Sequence, residues 1–326
     1  MEKILDVKEL RTNFYTDEGV VKAVDGLSYH INKGECVGLV GESGCGKSVS
    51  AMSILRLIPY PLGVIEGGEI LFKGEDLLEV SEERIREVRG DRISMIFQEP
   101  STSLNPVLSI QRQLTETLEL HRGMKSKEAK AESVRLLDVV GIPDAERRVK
   151  DYPHQFSGGM QQRIMIAIAL SCNPDVIIAD EPTTALDVTV QAQILELIAE
   201  MRERLGTAVL IITHNLGVVA RYVERLNGMY AGSLVETGPT DEIYANPKHP
   251  YTIGLLRSVP RLDQPRTEVT EVIEGMPPNL AHLPAGCRFA ERCSFVMDQC
   301  REEKPVLAEV SEGHFRACFY DADKLI

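Results

Sequence analysis

The chain has 326 residues, 43% hydrophobic and 26% charged, a composition that buries a core and excludes disorder over the whole length. At roughly 150 residues per domain, the length predicts one large domain, or one domain plus a sizeable annex. Lys and Arg number 36 against 49 Asp and Glu, a formal charge of −13; such a field repels polyanions, so nucleic acid is not expected as a partner.

The opening segment Met1-Glu2-Lys3-Ile4-Leu5-Asp6 is broken by charge and leads into no apolar stretch, so no signal peptide is expected. No apolar run approaches the ~18 residues that span a bilayer. The first 35 residues mix β-branched residues with turn signals and predict short antiparallel strands. Residues 36–40 form an apolar run ending in glycines, a buried strand. Residues 49–57 predict a helix that Pro59 and Pro61 stop. Residues 92–97 predict another strand. The stretch 100–165 carries two amphipathic helical patterns, 108–120 and 126–140, without a strand, and predicts a helical subdomain. A long helix follows Gly159. Strand 175–179, helix 188–204 and strand 208–213 then alternate, which implies an α/β fold with a parallel sheet and crossovers. After Pro239 prolines recur at 247, 250, 260, 265, 277, 278 and 284, predicting a linker and a small annex with little regular structure. The domain boundary therefore falls between 1–238 and 239–326.

Gly41-Glu42-Ser43-Gly44-Cys45-Gly46-Lys47-Ser48, followed by Val49, fits G-x-x-x-x-G-K-[ST] between a predicted strand and helix. The glycines let the backbone curl so that successive N–H groups face one anion. Lys47 adds a point charge between terminal phosphates, the Ser48 hydroxyl can ligate Mg²⁺, and the next helix offers its positive end. Cys45 is either a small residue filling the turn or an activated thiol.

Val176-Ile177-Ile178-Ala179-Asp180-Glu181 ends an apolar strand in two carboxylates. Asp180 is assigned to Mg²⁺ through its water shell and Glu181 to the attacking water, as base or orienter. Neighbouring strand residues point to opposite faces, so the two acids need not share a task. Gln98, just past a strand, can contact both Mg²⁺ and water. His214, just past another, can donate to a γ-phosphate oxygen or be a plain structural histidine.

Phe156-Ser157-Gly158-Gly159-Met160-Gln161-Gln162-Arg163 resembles the signature motif of ABC-type ATPases. With the phosphate loop, Gln98, Asp180-Glu181, Ala185-Leu186-Asp187 and His214 it completes the family's motifs in order, over residues 3–257. The resemblance implies a P-loop NTPase core with an antiparallel β subdomain. It also implies hydrolysis of MgATP at a dimer interface, where the signature of one subunit closes on the nucleotide of the other. Ser157, Gly158 and Gly159 then join the ATP site, Asp187 contacts the partner, and Tyr15 stacks on adenine, with Phe14 as the competing residue. Phe156 and Met160 depart from the usual leucine and glutamine without touching the Ser-Gly-Gly anion site.

Two further stretches narrow the branch. Gln98-Glu99-Pro100-Ser101-Thr102-Ser103-Leu104-Asn105-Pro106 and Asn246-Pro247-Lys248-His249-Pro250-Tyr251-Thr252 resemble peptide-importer ATPases. The similar proteins power uptake of dipeptides, oligopeptides, nickel or oligosaccharides. The resemblance implies a peripheral position on the cytoplasmic face of the membrane. It implies a second ATPase subunit, usually different, or a homodimer in isolation. It also implies two transmembrane permease subunits and, indirectly, an extracytoplasmic solute-binding protein. A soluble ABC ATPase acting on DNA or ribosomes is the rival; the single cassette, the absence of a long heptad run and the acidic balance oppose it. A non-catalytic nucleotide sensor is opposed by Lys47, Asp180, Glu181 and His214 all being present.

Four of the seven cysteines, Cys287, Cys293, Cys300 and Cys318, crowd the last 40 residues. Four thiolates suit tetrahedral Zn²⁺ or a [4Fe–4S] cluster, and the spacing selects neither; free thiols are the bland reading. Resemblance to the C-terminal cysteines of peptide-importer ATPases, some of which carry [4Fe–4S], points to the cluster as a structural staple, with Zn²⁺ as the alternative.

Overall fold

The computed structural model describes residues 2–183, 186–258 and 272–321. In chain order the first elements are β1 (Lys3–Thr16), β2 (Gly19–Asn32), β3 (Cys36–Val40), α1 (Lys47–Ile54), β4 (Gly63–Phe72), β5 (Glu75–Asp76), α2 (Glu82–Val88) and β6 (Ile93–Ile96). There follow α3 (Pro100–Ser103), α4 (Ile110–Arg122), α5 (Ser126–Val139), α6 (Ala145–Arg148), α7 (Gly158–Leu170), β7 (Val176–Asp180), α8 (Val188–Leu205) and β8 (Ala208–Thr213). The chain continues through α9 (Leu216–Val219), β9 (Arg225–Tyr230), β10 (Ser233–Pro239), α10 (Thr240–Ala245), α11 (Pro250–Arg257), α12 (Asp298–Glu302), β11 (Ala308–Ser311) and β12 (His314–Arg316). These form two compact units interleaved in sequence. The first draws on Met1–Ile4, Ile31–Glu35 and Glu79–Ile211; the second on Leu5–His30, Cys36–Leu78 and Ile212–Ile326.

In the first unit β6 and β7 pair in parallel, from Ile93 opposite Val176 to Ile96 opposite Ala179. Every residue of β7 is buried, as a strand covered on both faces requires. Helix α7 packs against β6 and against α3, α4, α5 and α8. Helix α4 begins at Ser109, whose hydroxyl accepts the Arg112 N–H at 3.3 Å, and stops at Gly123 in the left-handed region, φ 62°. Its buried residues Ile110, Leu114 and Leu118 recur every fourth position, one inward face. The two helical patterns predicted in this stretch are α4 and α5.

In the second unit an antiparallel sheet runs β2-β1-β4-β5. Strands β1 and β2 are 14 residues each, longer than the short strands expected. The β1–β4 register shifts between Lys8 and Thr12, around Glu9 at φ 47°; that bulge breaks the period-2 alternation, so one long strand reads as fragments. A second sheet pairs β3 with β9 in parallel, β9 with β10, β10 with β12 and β12 with β11 antiparallel.

That last pairing corrects the expectation of a loosely structured annex. The C-terminal stretch returns to the sheet, placing Arg316 opposite Glu236 and Phe315 opposite Thr237. The sequence conceals this because β12 has three residues and β11 is exposed throughout, too little for a periodicity to show. Buried Glu236 ties the region together. Its carboxylate accepts the Lys248 N–H at 2.6 Å and the His249 N–H at 3.1 Å, and lies 2.7 Å from His314 Nε2. Beside it, Tyr230, Tyr251 and Phe289 pack ring to ring with centroids 4.7–5.5 Å apart, flanked by Cys287 and Cys293.

Candidate nucleotide site

The phosphate loop links the fully buried β3 to α1. Gly46 is the N-cap of α1 at φ 103°, and Gly44 lies at φ 80°. A Cβ on Gly46 would stand 2.1 Å from the Ala23 carbonyl oxygen, and one on Gly41 2.2 Å from that of Met229; only glycine fits either place. Lys47 is buried, its ammonium donating to the carbonyls of Gly41 at 2.8 Å and Glu42 at 3.0 Å. Cys45 is buried, and burial pushes its thiol up despite the nearby Lys47 charge. It therefore fills the turn; the activated-thiol alternative has no support. Ser43 and Gly44 are exposed on the loop, Ser48 and Val49 partly buried in the first turn of α1.

In the first unit Asp180 closes β7, 5% exposed, and Glu181 follows, 8% exposed. Glu181 adopts a left-handed backbone, φ 45°, uncommon for a residue with a Cβ. Its Oε2 accepts a hydrogen bond from Gln98 Nε2 at 3.0 Å. Two residues singled out 83 positions apart thus meet at one point. The amide sets the carboxylate's direction.

The signature residues begin α7. Ser157 is the N-cap, its hydroxyl accepting the Met160 N–H at 3.4 Å, and Ser157 and Gly158 are exposed. A Cβ on Gly159 would stand 3.1 Å from Val190 Cγ1. The two departures from the usual signature share one neighbour. Phe156 is buried beneath the Arg148 guanidinium, 4.3 Å from ring centroid to Cζ, and Met160 Sδ lies 3.4 Å from Arg148 Nη1. Asp187 caps α8, accepting the Val190 N–H at 3.0 Å; Ala185 lies outside the described residues.

In the second unit His214 is exposed just past β8. Tyr15 is 45% exposed, its hydroxyl donating to Glu66 Oε1 at 2.5 Å. Phe14 is half-buried against Gly63, so Tyr15 is the ring more open to a ligand.

The four C-terminal cysteines all line one narrow pocket with His249, Phe289, Phe295 and Tyr320. Among the described residues, however, no group of three or more His, Cys, Asp or Glu is placed to hold a metal ion. Burial raises the thiols of Cys287 and Cys318 and lifts Cys293 to about 11. The four cysteines thus share one pocket, and burial raises the thiols of three of them. Reading the sequence also missed Glu236, Tyr251 and Arg292, whose partners lie far away along the chain.

Residues 24–184 match the family described as ABC transporter, and residues 235–300 the one described as Oligopeptide/dipeptide transporter, C-terminal region. The chain is 51% identical to a probable peptide ABC transporter ATP-binding protein, y4tR, of Sinorhizobium fredii, over 97% of this chain and 94% of that protein. It is 49% identical to the oligopeptide transport ATP-binding protein OppD of Bacillus subtilis, over 96% of this chain and 87% of that one. A solved dimeric post-hydrolysis state of the ATP-binding cassette MJ0796 bound to ADP and Pi matches with a TM-score of 0.65 at 27% identity, over 72% of this chain and 98% of that one.

Proposed function

The chain belongs to the ABC transporter family, among the ATP-binding subunits of peptide importers, and on that premise we propose how its residues divide the work. It is an ATPase whose hydrolysis drives peptide uptake. Residues 1–238 form the ATPase and 239–326 a peptide-importer extension. The loop from Gly41 to Val49, with Tyr15 against adenine, binds ATP. Ser48, Asp180 and Gln98 are the residues that would hold Mg²⁺; hydroxyl, carboxylate and amide oxygens suit a hard cation, which when bound neutralises phosphate charge. Ser157, Gly158 and Gly159 serve the nucleotide of a neighbouring ATPase subunit, with Asp187 at the contact. Glu181 takes or orients the water proton, and His214 steadies the γ-phosphate. Catalysis is chiefly positioning and charge stabilisation.

The observation that carries this reading is the buried Glu181 carboxylate held by Gln98 in a constrained backbone. Replacing Glu181 by Gln tests it, as argued below. Among the described residues no helix is long and apolar enough to cross a membrane. In this reading two permease subunits hold the chain at the cytoplasmic face, a different second ATPase completes the pair, and a solute-binding protein delivers the peptide.

Cys287, Cys293, Cys300 and Cys318 would hold a [4Fe–4S] staple, a reading supported by their convergence on one pocket. Protein purified without oxygen should be brown and hold about four iron and four sulfide per chain. Colourless protein with stoichiometric zinc excludes the cluster.

A further inference from the structure

The phosphate loop is held by residues outside every ATPase motif. Glu42, the loop's second residue, is fixed at four atoms. Its N–H donates to the Tyr251 hydroxyl at 2.8 Å, and its carbonyl accepts from Lys47 Nζ at 3.0 Å. Its carboxylate receives both arms of the Arg292 guanidinium, Nη1 to Oε2 at 2.7 Å and Nη2 to Oε1 at 3.0 Å. Arg292 is itself rigid, its side chain 5% exposed. Its Nε donates to the Glu274 carbonyl at 2.9 Å, its Nη2 to that of Ile273 at 3.2 Å and its Nη1 to the Tyr230 hydroxyl at 3.3 Å. The guanidinium also lies 5.8 Å from the Tyr230 ring centroid and 6.0 Å from that of Phe289. Tyr251 is fully buried in the same aromatic cluster. A two-armed charge pair with one partner desolvated is both strong and directional.

We propose that Arg292, assisted by Tyr251, is a positioning residue for nucleotide binding. By clamping Glu42 it sets the curvature of the phosphate loop and the seat of Lys47, and through it the C-terminal stretch sets this chain's affinity for ATP. Arg292 touches no substrate; it acts through Glu42. The proposal rests on the loop being the ATP site.

The test measures MgATP affinity and thermal stability of the full chain for the parent and for R292A, R292K, E42A, the R292A/E42A double variant and K47A. R292A and E42A should each weaken ATP binding about tenfold, and the double variant about tenfold rather than a hundredfold, because paired residues act as one unit. R292K should fall between parent and R292A, since an ammonium cannot form the fork. At saturating ATP, turnover of R292A in the assembled transporter should stay within about twofold of the parent. Should R292A fail to fold, E42A and R292K carry the comparison. Parent-like affinity in the folded variants, or losses that multiply in the double variant, overturns the proposal. A parent that binds ATP no better than K47A overturns the ATP reading instead.

Discussion

Glu181 joins two unusual properties, a left-handed backbone and a buried carboxylate tied to Gln98. Such a conformation costs on the order of 1 kcal/mol or more and persists where surroundings impose it, commonly at reacting centres. E181Q should bind ATP within about twofold of the parent yet hydrolyse it ~10²-fold more slowly or worse, read by equilibrium binding and phosphate release. Normal turnover would remove the base assignment. His249 offers a second residue-level test. Its Nδ1 accepts the Tyr251 N–H at 3.1 Å, capping α11, and burial lowers the imidazole to about 4. The unfolded chain titrates this group near 6.5, so between those values the unfolded state binds more protons. The stabilisation is full above about pH 6.5 and is lost as pH falls toward 4. Denaturant titrations should show the parent losing about 2 kcal/mol more than H249N between pH 7.5 and pH 5; equal losses would exclude His249 as the titrating group. At this scale the sequence displays what is local. The glycine loop, the Asp180-Glu181 pair and the Ser157 turn each sit within a few positions. Glu42 with Arg292 and Glu236 with His314 lie 250 and 78 residues apart, and no spacing rule connects them.

Among elements, the legible ones obey a single strong period. Strands β3, β7 and β8 are buried throughout and chiefly apolar, and α4 repeats its buried residues every fourth position. Strand β1 was hidden by its bulge, and β11 and β12 by brevity. Helix α1 depends on one residue before it. At Gly46 the left-handed backbone and the Ala23 carbonyl together exclude a side chain. G46A should therefore shift the loop, costing about 2 kcal/mol or more in stability and weakening ATP binding at least tenfold, by calorimetry and nucleotide titration. An alanine variant that binds ATP normally would show that the cradle tolerates another shape.

On the scale of the whole molecule, the last 80 or so residues are built into the second unit through β12, the Glu236 network and the Arg292–Glu42 clamp. Proline spacing alone suggests a separate annex, because proline content reports where regular structure is interrupted and not where the chain returns. The rest of the second unit and the C-terminal stretch should therefore melt together. E236L, which strands three hydrogen-bond donors in the interior, should lower stability by about 3 kcal/mol in a single unfolding transition; two separated transitions would show the regions to be independent. The central claim concerns two chains, one nucleotide held between the phosphate loop of a subunit and the Ser157 helix tip of its neighbour. The most direct measurement places a photo-crosslinking side chain at Met160, beside that tip, in the E181Q protein paired with its partner ATPase. With ATP present, crosslinks to the phosphate loop of the neighbouring subunit are expected, and they should fade with ADP. Crosslinks confined to the same chain in ATP, while the unmodified complex hydrolyses ATP at full rate, would contradict the account.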